Sequence, residues 1–204
     1  MSQDIDAGKA AIQTFEDEIA RYNARASRSG RKGLVYKPRR AFCLGNHEMR
    51  INDAGAKQEH MVDWYDVKAR IGDWLVSLGY EVIPFLDVLE INEVFFSHFF
   101  ESGVMGKAVP ITQAMQKIGR SAVWGHSHAM GYFERQIPKK IKAAGWDKWL
   151  CLPTFKDPAF LAHGETSGLV LLDDVWGGSF VFSVISTDRL LSDYDSNHHM
   201  APPD

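Results

Sequence analysis

With 204 residues, of which 45% are hydrophobic and 24% charged, the chain suits one domain with a core of ordinary size, and its composition excludes disordered and fibrous classes. A formal net charge of -3 gives no overall attraction to nucleic acid. The two cysteines, Cys43 and Cys151, exclude a disulfide framework and fit no zinc-finger spacing, so both are expected to be buried small hydrophobes.

In chain order, residues 4–25 carry Ile5, Ile12 and Ile19 at one seven-residue interval and Gly8, Phe15 and Tyr22 at another, which predicts an amphipathic helix with a single apolar stripe. Its acidic start lacks the basic and apolar stretches of a secretory signal, and no apolar run in the chain approaches a bilayer span, so a cytoplasmic protein with no membrane partner is expected. From Ile19 to His47 there is no acidic residue, while Arg21, Arg25, Arg28, Arg31, Lys32, Lys37, Arg39 and Arg40 all fall there. This basic arm, residues 21–40, is either a solvated face or a surface for a phosphate chain such as nucleic acid, with Arg39 and Arg40 as candidate substrate-binding residues.

After Pro38, the run 41–44 reads as a short buried strand stopped by Gly45, which puts Asn46 and His47 at its C-terminal end. A second helix is predicted over 57–78, with Met61, Trp64, Tyr65, Trp74 and Leu75 on its inner face and Gly79 as its stop. Strands follow at 80–85, 86–91 and 93–97, the last two as a hairpin. Pro110 opens a third helix ending near Gly119, and residues 121–124 form a strand running into Gly125. Further strands are expected at 149–152, 168–172 and 179–185, the last pair joined across Gly177-Gly178. From Ser192 the sequence reads as a polar tail. Strands alternating with helices predict a mixed α/β protein with layered sheets, organised as a single domain over 1–188 and a tail over 189–204.

Four candidate metal ligands each follow a predicted strand: Asn46, His98, His126 and His128. Imidazole nitrogen and amide oxygen suit Mn, Fe, Zn, Ni or Co, and without thiolates nearby the donor set resembles a catalytic site more than a structural zinc cage. Taken singly, each has an ordinary explanation. Asn-His after glycine is a common turn, and His98 among Phe95, Phe96, Phe99 and Phe100 reads as a satisfied core histidine. Gly-His-x-His is more telling, because two close imidazoles bring no packing advantage. His60, His163, His198 and His199 read as loop or surface residues.

In order, Gly45-Asn46-His47-Glu48, a histidine ending a strand at His98, and Gly125-His126-Ser127-His128 resemble the C-terminal signature of the calcineurin-like metallophosphoesterases, over residues 40–130 and more loosely to 188. The resemblance implies a four-layer α-β-β-α sandwich with a two-metal site at strand ends. It implies that Asn46, His98 and His126 hold one metal and His128 the other, that His47 donates a proton or hydrogen bond to the phosphoryl group or leaving oxygen, and that Glu48 orients it. The activity implied is a metal-dependent phosphohydrolase, a phosphodiesterase before a phosphomonoesterase, acting on a phosphate ester such as a nucleotide or nucleic acid.

The sequence departs from the family upstream. No Asp-x-His or Gly-Asp segment precedes Asn46, so the Asp that bridges the two metals is not evident and the fold is expected without its N-terminal strands. Three arrangements account for this: an N-terminal truncation, a separate chain carrying the other half, or a remodelled homo-oligomer covering the exposed apolar face. The alternative function is then a degenerate or split half acting as an assembly or binding module with one metal or none, because two close cations without a shared anion repel each other. Turnover by this chain alone is expected to be weak.

Overall fold

The structure, a computed structural model, describes residues 2–30, 32–50, 68–103, 107–137, 145–154 and 166–198. Among the described residues it is mixed α/β, with helices and several sheets that do not close into a barrel. The chain divides into two compact units, one of residues 1–42 and 54–82 and the other of 43–53 and 83–204.

In the first unit, α1 (Ser2–Arg28) fulfils the predicted helix, but its apolar residues split into two columns. Ile5, Ile19 and Ala26 are buried, extending the first seven-residue series by one interval, about two turns. Phe15 and Tyr22, expected on the same stripe, stand 59% and 51% exposed. They line an apolar groove of about 470 Å³ with Ile19, Leu34, Val35 and Tyr36. The Asn23 side chain fixes the strand-like segment beyond, accepting from Tyr36 N–H at 2.7 Å and donating to Tyr36 C=O at 2.8 Å. Strand β1 (Arg40–Cys43) pairs with β2 (Tyr80–Ile83) in a two-stranded sheet. The predicted helix at 57–78 is seen only from Lys68, as a π-helical turn (Lys68–Gly72) leading into α2 (Asp73–Ser77). Met61, Trp64 and Tyr65 lie outside the described residues, as do His60, His163 and His199.

Arg39 and Arg40, the candidate substrate-binding residues, both form ion pairs within this unit. Arg40 forms a two-pronged ion pair with Glu16, Nε–Oε1 at 2.7 Å and Nη2–Oε2 at 2.6 Å, and Tyr80 donates to Glu16 at 2.9 Å. Arg39 Nη2 meets Glu81 Oε2 at 2.6 Å. Each guanidinium is occupied by a carboxylate, and Arg21 likewise meets Glu18 at 2.8 Å, so much of the basic arm is neutralised locally.

The Arg40 hydrogen bonds hold the Glu16 carboxyl below the usual carboxylate range against the opposing cost of burial. A group whose pKa is lowered on folding contributes stability above its unfolded pKa and loses it as pH falls through the folded value. Glu16→Gln should therefore lower stability at neutral pH by about 1–3 kcal/mol, the cost of leaving a charged partner underbonded. The difference from wild type should shrink below about pH 4, near the unfolded carboxylate pKa. Urea denaturation of both proteins between pH 3 and 7 checks this, and a difference that stayed constant with pH would refute it.

The second unit is built on a five-stranded sheet in the order β3 (Leu89–Ile91), β4 (Val94–Ser97), β5 (Ala122–Trp124), β7 (Gly145–Cys151), β6 (Gly131–Ile137). The predicted β3–β4 hairpin is present, β4, β5 and β7 run parallel, and β6 returns antiparallel on β7. Alternation of side chains sends Ala122 and Trp124 to one face and Val123 to the other. On the first face they pack with Phe99, Val109, Ala114, Trp149 and Cys151, next to the short helix α3 (Ala114–Lys117) that follows Pro110. On the second, Val94, Val123 and Leu150 pack against Phe180, Val170, Leu172 and Phe182 of the hairpin β8 (Gly168–Trp176) and β9 (Ser179–Ser186). Its turn uses Gly177 and Gly178, at φ +54° and +72°, the paired positive dihedrals that a two-residue hairpin loop requires.

Two elements differ from the sequence-based expectation. Residues 131–137 form strand β6, and the segment expected as a polar tail is helical through α4 (Thr187–His198). Among the described residues, no helix is long and apolar enough to cross a membrane.

Candidate metal centre

The β4–β5–β7 register places the chemistry. Because β4 and β5 are parallel neighbours, with Ser97 beside Trp124, the residues after each strand emerge side by side, where open parallel sheets commonly bind ligands. Gly125 N–H donates to His98 C=O at 3.0 Å, locking the two exits together. The third contributor is the turn after Leu44, whose N–H donates to Ile83 C=O at 3.0 Å. Residues 46–50 there are helical, and Met49 N–H reaches back to Gly45 C=O at 3.2 Å.

Three side chains converge from these exits. Asn46 Oδ1 lies 2.8 Å from His98 Nε2 and 3.1 Å from His126 Nδ1, and the two ring nitrogens are 3.3 Å apart. Donors bonded to one ion at about 2.1 Å, at angles between a right angle and tetrahedral, stand about 3.0–3.4 Å apart; the two sides that meet at His126 fall in that span and the 2.8 Å side lies just below it, so the triangle is close to that of a shared cation. As hydrogen bonds alone, with the amide oxygen as acceptor, both rings would have to donate to the same Asn46 Oδ1, which crowds their two protons against one another beside it. Among the described residues no three His, Cys, Asp or Glu side chains are placed so that they could hold a metal ion together; the third donor here is an amide.

The surroundings keep both rings neutral. Burial is the main cause lowering the His98 pKa, followed by the His126 charge; His126 is lowered by burial and then by His128. Neutral imidazoles carry the lone pair that a metal needs. His126 stacks on Phe99 with ring centroids 4.6 Å apart, and Phe85 and Phe99 both border His98 at 6.3 and 5.8 Å. These phenyl rings hold the imidazoles in place and wall off one side of the cluster.

The other expected residues fall around this triangle. His47 is exposed on the first helical turn, and its charge disfavours protonation of both His98 and His126, as does that of His128. His128 C=O accepts from Thr166 N–H at 3.2 Å. Glu48 accepts from Gly45 N–H at 2.7 Å through Oε2. That bond is the reach-back half of a capping box, with the third helical residue closing the N-terminus. It fixes the turn that presents Asn46, a positioning task distinct from the expected one of orienting His47. Arg50, a turn further along, was not anticipated; its positive charge opposes protonation of His126. The signal available was its spacing, since positions 46 and 50 share a helix face.

The loop 125–128 carries strain. His126 and His128 have φ of +74° and +57°, each costing about 1–2 kcal/mol for a residue with a Cβ. Such conformations persist where the surroundings over-determine them and cluster at functional sites.

Comparison with protein-family models, curated proteins and solved structures finds no match to this chain.

Proposed function

We propose that this chain is a metal-dependent phosphohydrolase of the calcineurin-like metallophosphoesterase type, with Asn46, His98 and His126 holding one divalent cation drawn from Mn, Fe, Zn, Ni and Co. The observation that carries this reading is the meeting of three uncharged donor atoms within 3.3 Å of one another, at the C-terminal ends of two parallel strands and an adjoining turn. The four-layer α-β-β-α sandwich belongs to the same proposal, with the five-stranded sheet and the β8–β9 hairpin as its described inner parts.

A divalent cation held there would polarise a phosphoryl oxygen and lower the pKa of a bound water. His47, exposed beside Asn46, supplies a proton or hydrogen bond to the departing oxygen, work suited to imidazole at neutral pH. His128, whose charge acts on both His98 and His126, would be the ligand of a second cation. Phe85 and Phe99 keep water from one side of the ligands, and Glu48 keeps Asn46 in register. The substrate class is a phosphate ester, a phosphodiester before a monoester, such as a nucleotide or nucleic acid.

A second reading is favoured by the donor set itself. Three neutral ligands can hold one cation, as three-histidine zinc sites do, but none supplies the anion that two close cations share, and a binding or assembly module with one ion would follow.

The test is turnover of bis-p-nitrophenyl phosphate with Mn or Ni supplied, alongside metal analysis. Slow hydrolysis that chelation abolishes is expected, with His47→Ala lowering it by about 10²- to 10⁴-fold at unchanged metal content. Turnover indifferent to chelation would remove the hydrolase reading, and metal binding without turnover would leave the binding module.

A further inference from the structure

We infer that Cys151 and Ser127 form a clamp that positions His126, a role that rests on the reading of His126 as a ligand. Cys151 ends β7 directly beside Trp124, the last residue of β5. Its side chain therefore lies beneath the loop that follows, and the residue is buried, at 3% exposure. Cys151 Sγ lies 2.7 Å from Ser127 Oγ and 3.6 Å from Gly125 C=O. The thiol thus touches both neighbours of His126. With the serine hydroxyl donating to sulfur and the thiol donating to the Gly125 carbonyl, every proton in this bridge has an acceptor.

The loop has need of such a bridge. Its two histidines adopt left-handed backbone conformations, and Ser127 between them is tied by its N–H to Gly125 C=O at 3.0 Å. That bond curls the loop without attaching it to the sheet. The loop's ends are held by Gly125 N–H on His98 C=O and by Thr166 N–H on His128 C=O; the Ser127 hydroxyl adds an attachment to the neighbouring strand next to His126 and so helps to set where His126 Nδ1 stands relative to Asn46 Oδ1. Cys151 is a positioning residue and makes no bond to the cation.

Two readouts test the clamp, one with metal and one without. Ser127→Ala, at an exposed position, and Cys151→Ala should each weaken Co(II) binding about 10- to 100-fold, the usual cost of losing a partner that orients a ligand. Because the Ser127–Cys151 contact is common to both, while Cys151→Ala also deletes the contact to Gly125 C=O, the double variant should lose about as much as Cys151→Ala alone, whereas independent effects would add. Cys151→Ser, which puts a hydroxyl in place of the thiol, should recover part of the affinity. In metal-free protein, the His126 imidazole NMR signals should shift or broaden in both alanine variants. Unchanged His126 signals, wild-type cobalt affinity in either alanine variant, or additive losses would overturn the clamp. A thiolate-to-cobalt charge-transfer band in the wild type would also overturn it, by making Cys151 a ligand. Wild-type protein that binds no cobalt would instead remove the metal reading, and the NMR of the metal-free variants would still decide whether the clamp exists.

Discussion

Gly45→Ala is expected to disable the cation site while leaving the fold intact. A Cβ at this position would stand 2.8 Å from His98 Cε1, 2.9 Å from His98 Nδ1 and 2.9 Å from Glu48 Oε2, closer than packed atoms tolerate. The His98 ring has nowhere convenient to go. Its Nε2 is engaged with Asn46, and Phe85 and Phe99 border it. The alternative, displacement of Glu48, breaks the bond that closes the Asn46 turn. Either movement separates donors that must stay within a few tenths of an ångström of their places, so cobalt affinity should fall by about 100-fold, the upper end of losses from disturbed ligand support. Gly125→Ala is the matched control. Its nearest neighbour would be His98 C=O at 3.8 Å, an ordinary contact, and the protein should bind cobalt nearly as the wild type does. Isothermal titration of the two variants decides the point, and equal affinities would mean that His98 is not held where the structure puts it.

A still larger loss is expected from removing a donor outright. His126→Ala and Asn46→Ala each leave two of the three donor atoms, and two neutral donors on separate chain segments lack the coordination that even an open catalytic site retains. Binding should drop by more than the roughly 10- to 100-fold that an outer partner is worth. Asn46→Asp makes the contrast, since it keeps the oxygen and adds a negative charge where a cation would sit. It should bind cobalt at least as tightly as wild type. If the cluster were only a hydrogen-bonded one, all three variants would behave alike toward cobalt, with no measurable binding in any. Competition titrations against a chelator of known affinity separate these outcomes.

Much of this arrangement was legible in the sequence because strands and their endings leave strong marks. The runs ending at Leu44, Ser97 and Trp124 are short, apolar and followed directly by glycine or histidine, and the structure ends β4 and β5 at Ser97 and Trp124 and β1 one residue early, at Cys43. The order Asn46, His98, His126 was readable, and parallel pairing of β4 with β5 then brings two of them together. Strand β6 was not legible, because Gly131–Ile137 sets two aromatic residues side by side and then Glu134, Arg135 and Gln136 in a row, with no two-residue alternation to mark an apolar face; it forms as the partner of β7, a tertiary effect. Helix α4 was read as tail since its sequence is mostly polar. The apolar column of α1 misled in the opposite sense. Periodicity marked Phe15 and Tyr22 as inward-facing, yet burial depends on what lies opposite, which sequence spacing does not contain. Around the site, the Gly45–Glu48 cap and the Ser127–Cys151 contact escaped notice for related reasons. The first is a capping box with glycine in place of the usual Ser or Thr, and the second exists only once β5 and β7 are in register.

Anomalous diffraction from crystals of the cobalt-loaded chain tests the central claim most directly. The account predicts a peak within about 2.3 Å of Asn46 Oδ1, His98 Nε2 and His126 Nδ1 together, at ordinary metal–ligand distances. Crystals loaded at saturating cobalt with no peak among those three atoms, and with their mutual contacts unchanged, would contradict it and leave a hydrogen-bonded cluster in place of a metal centre.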